Sequence, residues 1–209
     1  MIKLTIQSIL HTIVWSIVAG VIYTAGMTVL FQVAFPSQAN GSLVMRDGKP
    51  IGSKWLAQQF TGSNYFWPRP SACTYGTGAG GIVASSGSNL GPTSGQLQSN
   101  VLNNASAFIS GNNLPTNTPV PPDMIFASAS GLDPDISPEA ARLQVARVAA
   151  ARGLSADKVK GLVEQFVEPP QWGFLGQDRV NVLLLNVALD KLAAESAKKA
   201  QAPVSLSRT

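Results

Sequence analysis

The residues best suited to chemistry lie in the run ASASGLDPDISPEAA from Ala127 to Ala141, where Asp133 and Asp135 stand two apart. Paired carboxylates on an oxygen-rich turn could ligate a hard cation such as calcium or share a proton as a dyad. They also complement the positive end of a helix dipole just ahead of Ser137 and Glu139, and this structural use is the stronger reading. Gly76 to Gly81 satisfies G-x-G-x-x-G literally. A dinucleotide loop needs a strand before it and a helix after it, whereas Pro68 and Pro70 precede this one, so it reads as a flexible loop. The chain has a single histidine, His11, and a single cysteine, Cys73. Beyond residue 11 no Ser-His-Asp triad or His-activated thiolate can be assembled, and no intramolecular disulfide or cysteine metal cluster is possible.

Tyr65, Phe66, Trp67 and Arg69 could form a recognition surface, since aromatic and arginine side chains anchor many interfaces. Phe66 reads as core, while Trp67 and Arg69 divide between the two uses. Arg142, Arg147 and Arg152 recur at five-residue steps, about 140° apart on a helix, which predicts a solvated surface. The net charge is +4, but Lys and Arg are scattered with no dense basic stripe, so nucleic acid is not an expected partner.

The element that must carry all this is an N-terminal anchor. No Lys, Arg, Asp or Glu occurs between Lys3 and Arg46, and Thr12 to Phe35 is nearly continuous apolar sequence. At ~1.5 Å per residue that run reaches about 36 Å, enough to cross a ~30 Å hydrocarbon core. It is far longer than a signal-peptide h-region, so retention as a transmembrane helix is favoured over cleavage near Ser37-Gln38-Ala39. Within it, Ser16, Gly20, Thr24, Thr28 and Gln32 recur at every fourth position and trace one ridge for docking against another helix, with lipid around the rest. Charged residues make up only 12% of the chain, which agrees with membrane association.

The expected fold is a single N-terminal transmembrane helix followed by a compact α+β extracytoplasmic domain. The divisions are 1–11 as a short cytoplasmic N-terminus, 12–35 as the transmembrane helix, 36–201 as the domain and 202–209 as a frayed tail. Within the domain a hairpin should turn at Asp47-Gly48, and Trp55 to Phe60 should be helical. A long Gly- and Ser-rich loop containing Ser88 and Asn89 suits contact with a partner. A core-facing helix is predicted over Ser94 to Ile109, and a strand over Asp123 to Ser128. Gly131, Asp133, Pro134, Ser137 and Pro138 form a structural corner, with Ser137 as N-cap and Pro138 at the first helical position. The helix begun there should stop at Gly153, Ser155 should cap a second one ending near Phe166, and a terminal helix should run from Asn181 to Lys199.

Four blocks in order, YFWPRPSA from Tyr65, GSNLGP from Gly87, the run Ala127 to Ala141, and RVNVLLLNVALD from Arg179, resemble the C subunit of the Kdp potassium-transporting ATPases. The family pattern often has His-Gly where this chain has Trp67-Pro68, and Pro where it has Ala146. The resemblance implies a non-catalytic accessory subunit of an ATP-driven, high-affinity potassium uptake complex in the bacterial inner membrane, N-terminus inside and domain outside. The implied partners are a channel-like potassium-binding subunit (KdpA), a P-type ATPase subunit (KdpB), a small helical subunit (KdpF) and membrane lipid. It also implies a catalytic-chaperone role that raises the ATP affinity of the pumping subunit, by conformational coupling. No cofactor is expected on this chain, with ATP, potassium and Mg2+ handled by the complex. The rival reading is a membrane-anchored ligand-binding or hydrolytic module using Asp133, Asp135 and Ser88.

Overall fold

The computed structural model describes residues 2–73 and 85–201, so the Gly76–Gly81 motif and the 202–209 tail lie outside the described residues. The chain divides into two compact units, Met1–Ser53 and Lys54–Thr209. In the first, α1 (Ile2–Ile17) continues through a wider π turn (Val18–Tyr23) into α2 (Thr24–Ala34). Together they make one apolar helix, Ile2–Ala34, long enough to cross a membrane. Its large side chains, among them Ile13, Val14, Trp15, Val21, Ile22 and Val29, are exposed. Pro36 opens the short α3 (Pro36–Ala39), and the expected hairpin follows as β1 (Leu43–Arg46) and β2 (Lys49–Ser53). They turn at Asp47 and Gly48, both at positive φ.

The second unit packs helices on a small sheet. Its elements are α4 (Gly95–Gly111), α5 (Pro122–Ile125), β3 (Asp135–Ile136), α6 (Pro138–Arg152), α7 (Ala156–Gln165), β4 (Val167–Glu168), β5 (Arg179–Asn181) and α8 (Val182–Gln201). The sheet order is β3-β5-β4, antiparallel throughout, and Val180 is registered with both Ile136 and Val167. Phe66, Phe108, Met124, Val145, Val148, Val159, Val163, Leu185 and Leu189 close over that strip as one core.

Two expected elements differ. Trp55 to Phe60 is irregular rather than helical, because Ala57 turns inward and its N–H donates to the Leu132 carbonyl at 2.9 Å. Asp123 to Ser128 is not a strand: Pro122 supplies a helical φ and starts the one-turn α5, leaving only Ser128 in a parallel bridge to Ser71. The helix ends follow the sequence more closely. Ser137 Oγ accepts the Ala140 N–H at 3.1 Å, Pro138 occupies the first turn, and Gly153 closes α6 at φ +62. Ser155 stands at the start of α7 but makes no side-chain cap bond. The cap of α8 is Asn181, whose Oδ1 accepts the Leu184 N–H at 3.1 Å.

Gly131 and Gly153 both need positive φ, yet their surroundings differ. A Cβ on Gly131 would overlap Cys73 Sγ and lie 2.6 Å from the Ser86 carbonyl, whereas one on Gly153 meets nothing within 4 Å. Gly131→Ala is therefore expected to cost about 3 kcal/mol or more, and Gly153→Ala about 1 kcal/mol. Equilibrium denaturation of the detergent-solubilised chain, followed by circular dichroism, would show the two costs equal if the crowding at Gly131 were unimportant.

Candidate functional site

The segment Gly62 to Arg69 is laid across the core without a sheet partner, and helix side chains complete its hydrogen bonds. Phe66 is fully buried, and Asn186 of α8 takes its N–H at 2.9 Å and gives its own N–H to the Phe66 carbonyl at 3.0 Å. Gln144 of α6 treats Trp67 likewise, at 2.7 and 3.3 Å. Each carboxamide thus copies one residue of a neighbouring strand.

Arg147 joins this segment to the rest. It is 6% exposed and its guanidinium lies 3.8 Å from the Trp67 ring centroid. Its donors reach Asn112 Oδ1 at 2.8 Å, the Ser63 and Tyr65 carbonyls at 2.6 and 2.9 Å, and Gln144 Oε1 at 2.8 Å. Burial pushes its pKa down to about 10, so it stays a cation at neutral pH. One turn on, Arg152 stacks over Tyr65 at 4.6 Å and pairs with Asp190 at 2.7 Å. The expected solvated arginine surface is thus corrected: only Arg142 is exposed, paired with Glu164 across to α7. Its two companions are drawn inward because Ala140, Ala141 and Ala149 let α6 pack closely on several sides. The sequence signal that was available is the alanine-rich make-up of α6, which leaves a helix without one clear apolar stripe.

Trp67 and Arg69, read as candidate partner contacts, are half-buried and engaged within the chain. Trp67 Nε1 donates to the Gly62 carbonyl at 2.9 Å, and Arg69 pairs with Asp133 at 2.5 Å. Ser88 and Asn89 are exposed, Asn89 at φ +51, beside a backbone tie from the Ser86 N–H to the Ser130 carbonyl.

The corner assigned to Gly131, Asp133, Pro134, Ser137 and Pro138 borders a cleft of about 570 Å³, lined in part by Asp123, Asp133, Asp135, Arg69 and Arg179. The two aspartates do not serve the helix dipole in the way their spacing suggested. Asp133 neutralises Arg69 and its Oδ1 accepts the Asp135 N–H at 3.1 Å. Asp135 accepts from Asn181 at 3.1 Å and faces Arg179 at 3.4 Å. The acid that serves the helix start is Asp123, which sequence reasoning placed in a strand: it accepts both the N–H and the hydroxyl of Ser137, at 2.7 and 3.0 Å. Ser88 lies in a separate hollow with Pro70, Leu97, Asn100 and Asn104, so the trio of the hydrolytic reading does not converge.

Burial, and next the charge on Asp133, raise the Asp135 pKa above its ordinary value, against the pull of Asn181 and Arg179. An acid whose pKa is raised by folding stabilises the fold while protonated, below its unfolded pKa of 3.8, and loses that contribution as pH rises through its folded pKa.

In the first unit, the π turn changes the phase of the predicted ridge. At about 100° per residue, four-residue steps drift by about 40°, spreading Ser16 to Gln32 over about 160° of an unbroken α-helix. One extra residue in the π turn sets Thr24, Thr28 and Gln32 back by about 100°, so that with Ser16 they fall within about 80°, Gly20 lying inside the turn itself. Thr24 and Thr28 hydroxyls donate to the Gly20 and Thr24 carbonyls at 2.6 and 2.8 Å. Thr24, Thr28 and Gln32 also line a groove of about 450 Å³ with Met27 and Phe31.

Arg147→Met should lower stability by about 3 kcal/mol, because the Ser63 and Tyr65 carbonyls lose their donors, whereas Arg142→Met should leave the denaturation midpoint unmoved. Asp135→Asn should abolish the fall in stability that accompanies rising pH through the Asp135 pKa, while holding its bond to Asn181. A fall of unchanged size in that variant would remove Asp135 as its source.

A family model described as KdpC, K+-transporting ATPase, c chain, matches residues 5–191. A protein of Methylococcus capsulatus named potassium-transporting ATPase KdpC subunit is 49% identical over 189 residues, covering 88% of this chain and 96% of its own. Proteins of the same name are 47% identical in Geobacter metallireducens, over 89% of this chain and 96% of theirs, and in Mycobacterium tuberculosis, over 86% and 94%.

Proposed function

The chain belongs to the KdpC family, the c chain of K+-transporting ATPase, and from that premise we propose that it holds the transport complex together through its membrane helix and its 54–209 unit. It is an accessory subunit of that complex, and a helix fit to cross a membrane agrees with membrane association. In the proposed arrangement the helix spans the bacterial inner membrane with its N-terminus inside and the second unit outside. The channel-like potassium-binding subunit, the P-type ATPase subunit and the small helical subunit are its partners, and they handle ATP, Mg2+ and potassium.

The observation that carries this reading is the ridge. In lipid, apolar side chains gain nothing by meeting one another, so helices associate where small and hydroxyl-bearing residues allow close approach. The π turn gathers Ser16, Thr24, Thr28 and Gln32 onto one face, and the last three also line the groove. Any effect on the ATP affinity of the pumping subunit would then pass through helix contacts, as a coupling free energy between distant sites.

Bulky replacements test the docking. Gly20→Leu combined with Thr24→Leu should reduce the amount of this chain that co-purifies with the other subunits at least about tenfold, the loss expected when close packing on one face is blocked. Val33→Leu, exposed and outside the groove, is the control. Full recovery of the complex with the double variant would refute docking through this ridge.

A further inference from the structure

Trp172 and Phe174 are the most exposed large apolar side chains among the described residues of the 54–209 unit, at 77% and 72%. They sit on a turn between β4 and β5 whose shape is fixed by its own backbone. The Gly173 N–H donates to the Pro170 carbonyl at 2.9 Å, while Gln171 and Leu175 exchange both backbone bonds at 2.9 Å. Trp172 takes the third position of that turn at φ +55, a left-handed conformation that glycine or asparagine usually occupies. The fold holds a bulky residue there although its ring gains little burial in return. Strain kept without an internal gain is characteristic of recognition sites.

We infer that the turn Gln171 to Leu175 is a docking knob for another subunit of the same transport complex, and that its receptacle is an uncharged apolar pocket on an extramembrane face of that subunit. This rests on the reading that the chain works as an assembled subunit. Family membership supplies the partner. The chemistry of the pocket follows from the knob: no ionisable side chain occurs from Pro169 to Gln177. A charged receptacle would be desolvated with nothing to neutralise it, whereas Trp and Phe anchors gain most in dry apolar pockets. Charge is confined to the flank, where Glu168 is already held by Arg179 and Lys54. The aromatic residues near Arg69 are spent on the fold, and this turn is more exposed than Trp55 and Phe126, the other exposed aromatic side chains among the described residues of the unit.

The test is photocrosslinking in membranes that contain the whole complex, with benzoylphenylalanine in place of Phe174 and, as a control, in place of the exposed Lys158. A covalent adduct with another subunit from position 174 and none from 158 is the expected result. Adducts with lipid alone, or none although the chain co-purifies, overturn the knob and leave the assembly reading standing. Failure of the unsubstituted chain to co-purify with any subunit removes both. Trp172→Gly supplies a second arm. It should raise the melting temperature of the isolated chain by relieving the left-handed residue, while lowering retention in the complex at least about tenfold. Unchanged retention in that variant would show the turn to be purely structural.

Discussion

A half-buried segment without a strand partner is the constraint around which the second unit is built. Gly62 to Trp67 lies half-buried against the core with Phe66 fully enclosed, and peptide groups left unsatisfied there would be costly. The fold meets this with polar side chains projecting from two helices, Gln144, Arg147 and Arg152 from α6 and Asn186 from α8. Everything near them follows. Small alanines bring α6 close enough for its polar groups to reach, and the Trp67 face receives a guanidinium whose acceptors are carbonyl and amide oxygens. The short sheet then supplies the surface on which α6 and α8 converge.

A second layer of polar contacts ties that interior to the corner. Arg69, at the end of the same segment, carries the chain of charge onward to Asp133. From Asp135 it passes to Arg179, Glu168 and Lys54, so three short strands and the first residue of the unit share one network. The members are between about a fifth and a third exposed, which makes each link weak by itself. Their value is mutual orientation of pieces too short to align themselves.

How much of this was legible depended on whether the cause was local. Caps, glycine stops and the hairpin are decided within four or five residues, and Ser137, Pro138, Gly153 and Asp47-Gly48 were readable for that reason. Block by block likeness also led to the right family. What escaped was tertiary. The spacing of Arg147 and Arg152 gave an outward face because periodicity assumes one buried stripe, and an alanine-rich helix enclosed on several sides has none. Asp123 was hidden because its partner, Ser137, lies 14 residues away. The pair Asp133 and Asp135 looked like a helix-terminus device, since nothing nearby in sequence announces Arg69 or Arg179 as their partners.

The carboxamide bond from Asn186 to Phe66 spans 120 residues, and those from Gln144 to Trp67 span 77. A ribosome working from the N-terminus delivers the segment long before the helices that must clasp it. The aromatic run Tyr65 to Trp67 therefore waits as unfolded chain until almost the whole unit has been made, and this high separation of contacts sets a slow, late closure of the core. Early-emerging aromatic sequence with nothing to bury it is what molecular chaperones bind. Biogenesis of this subunit should accordingly depend more on holding factors than its modest size alone would suggest.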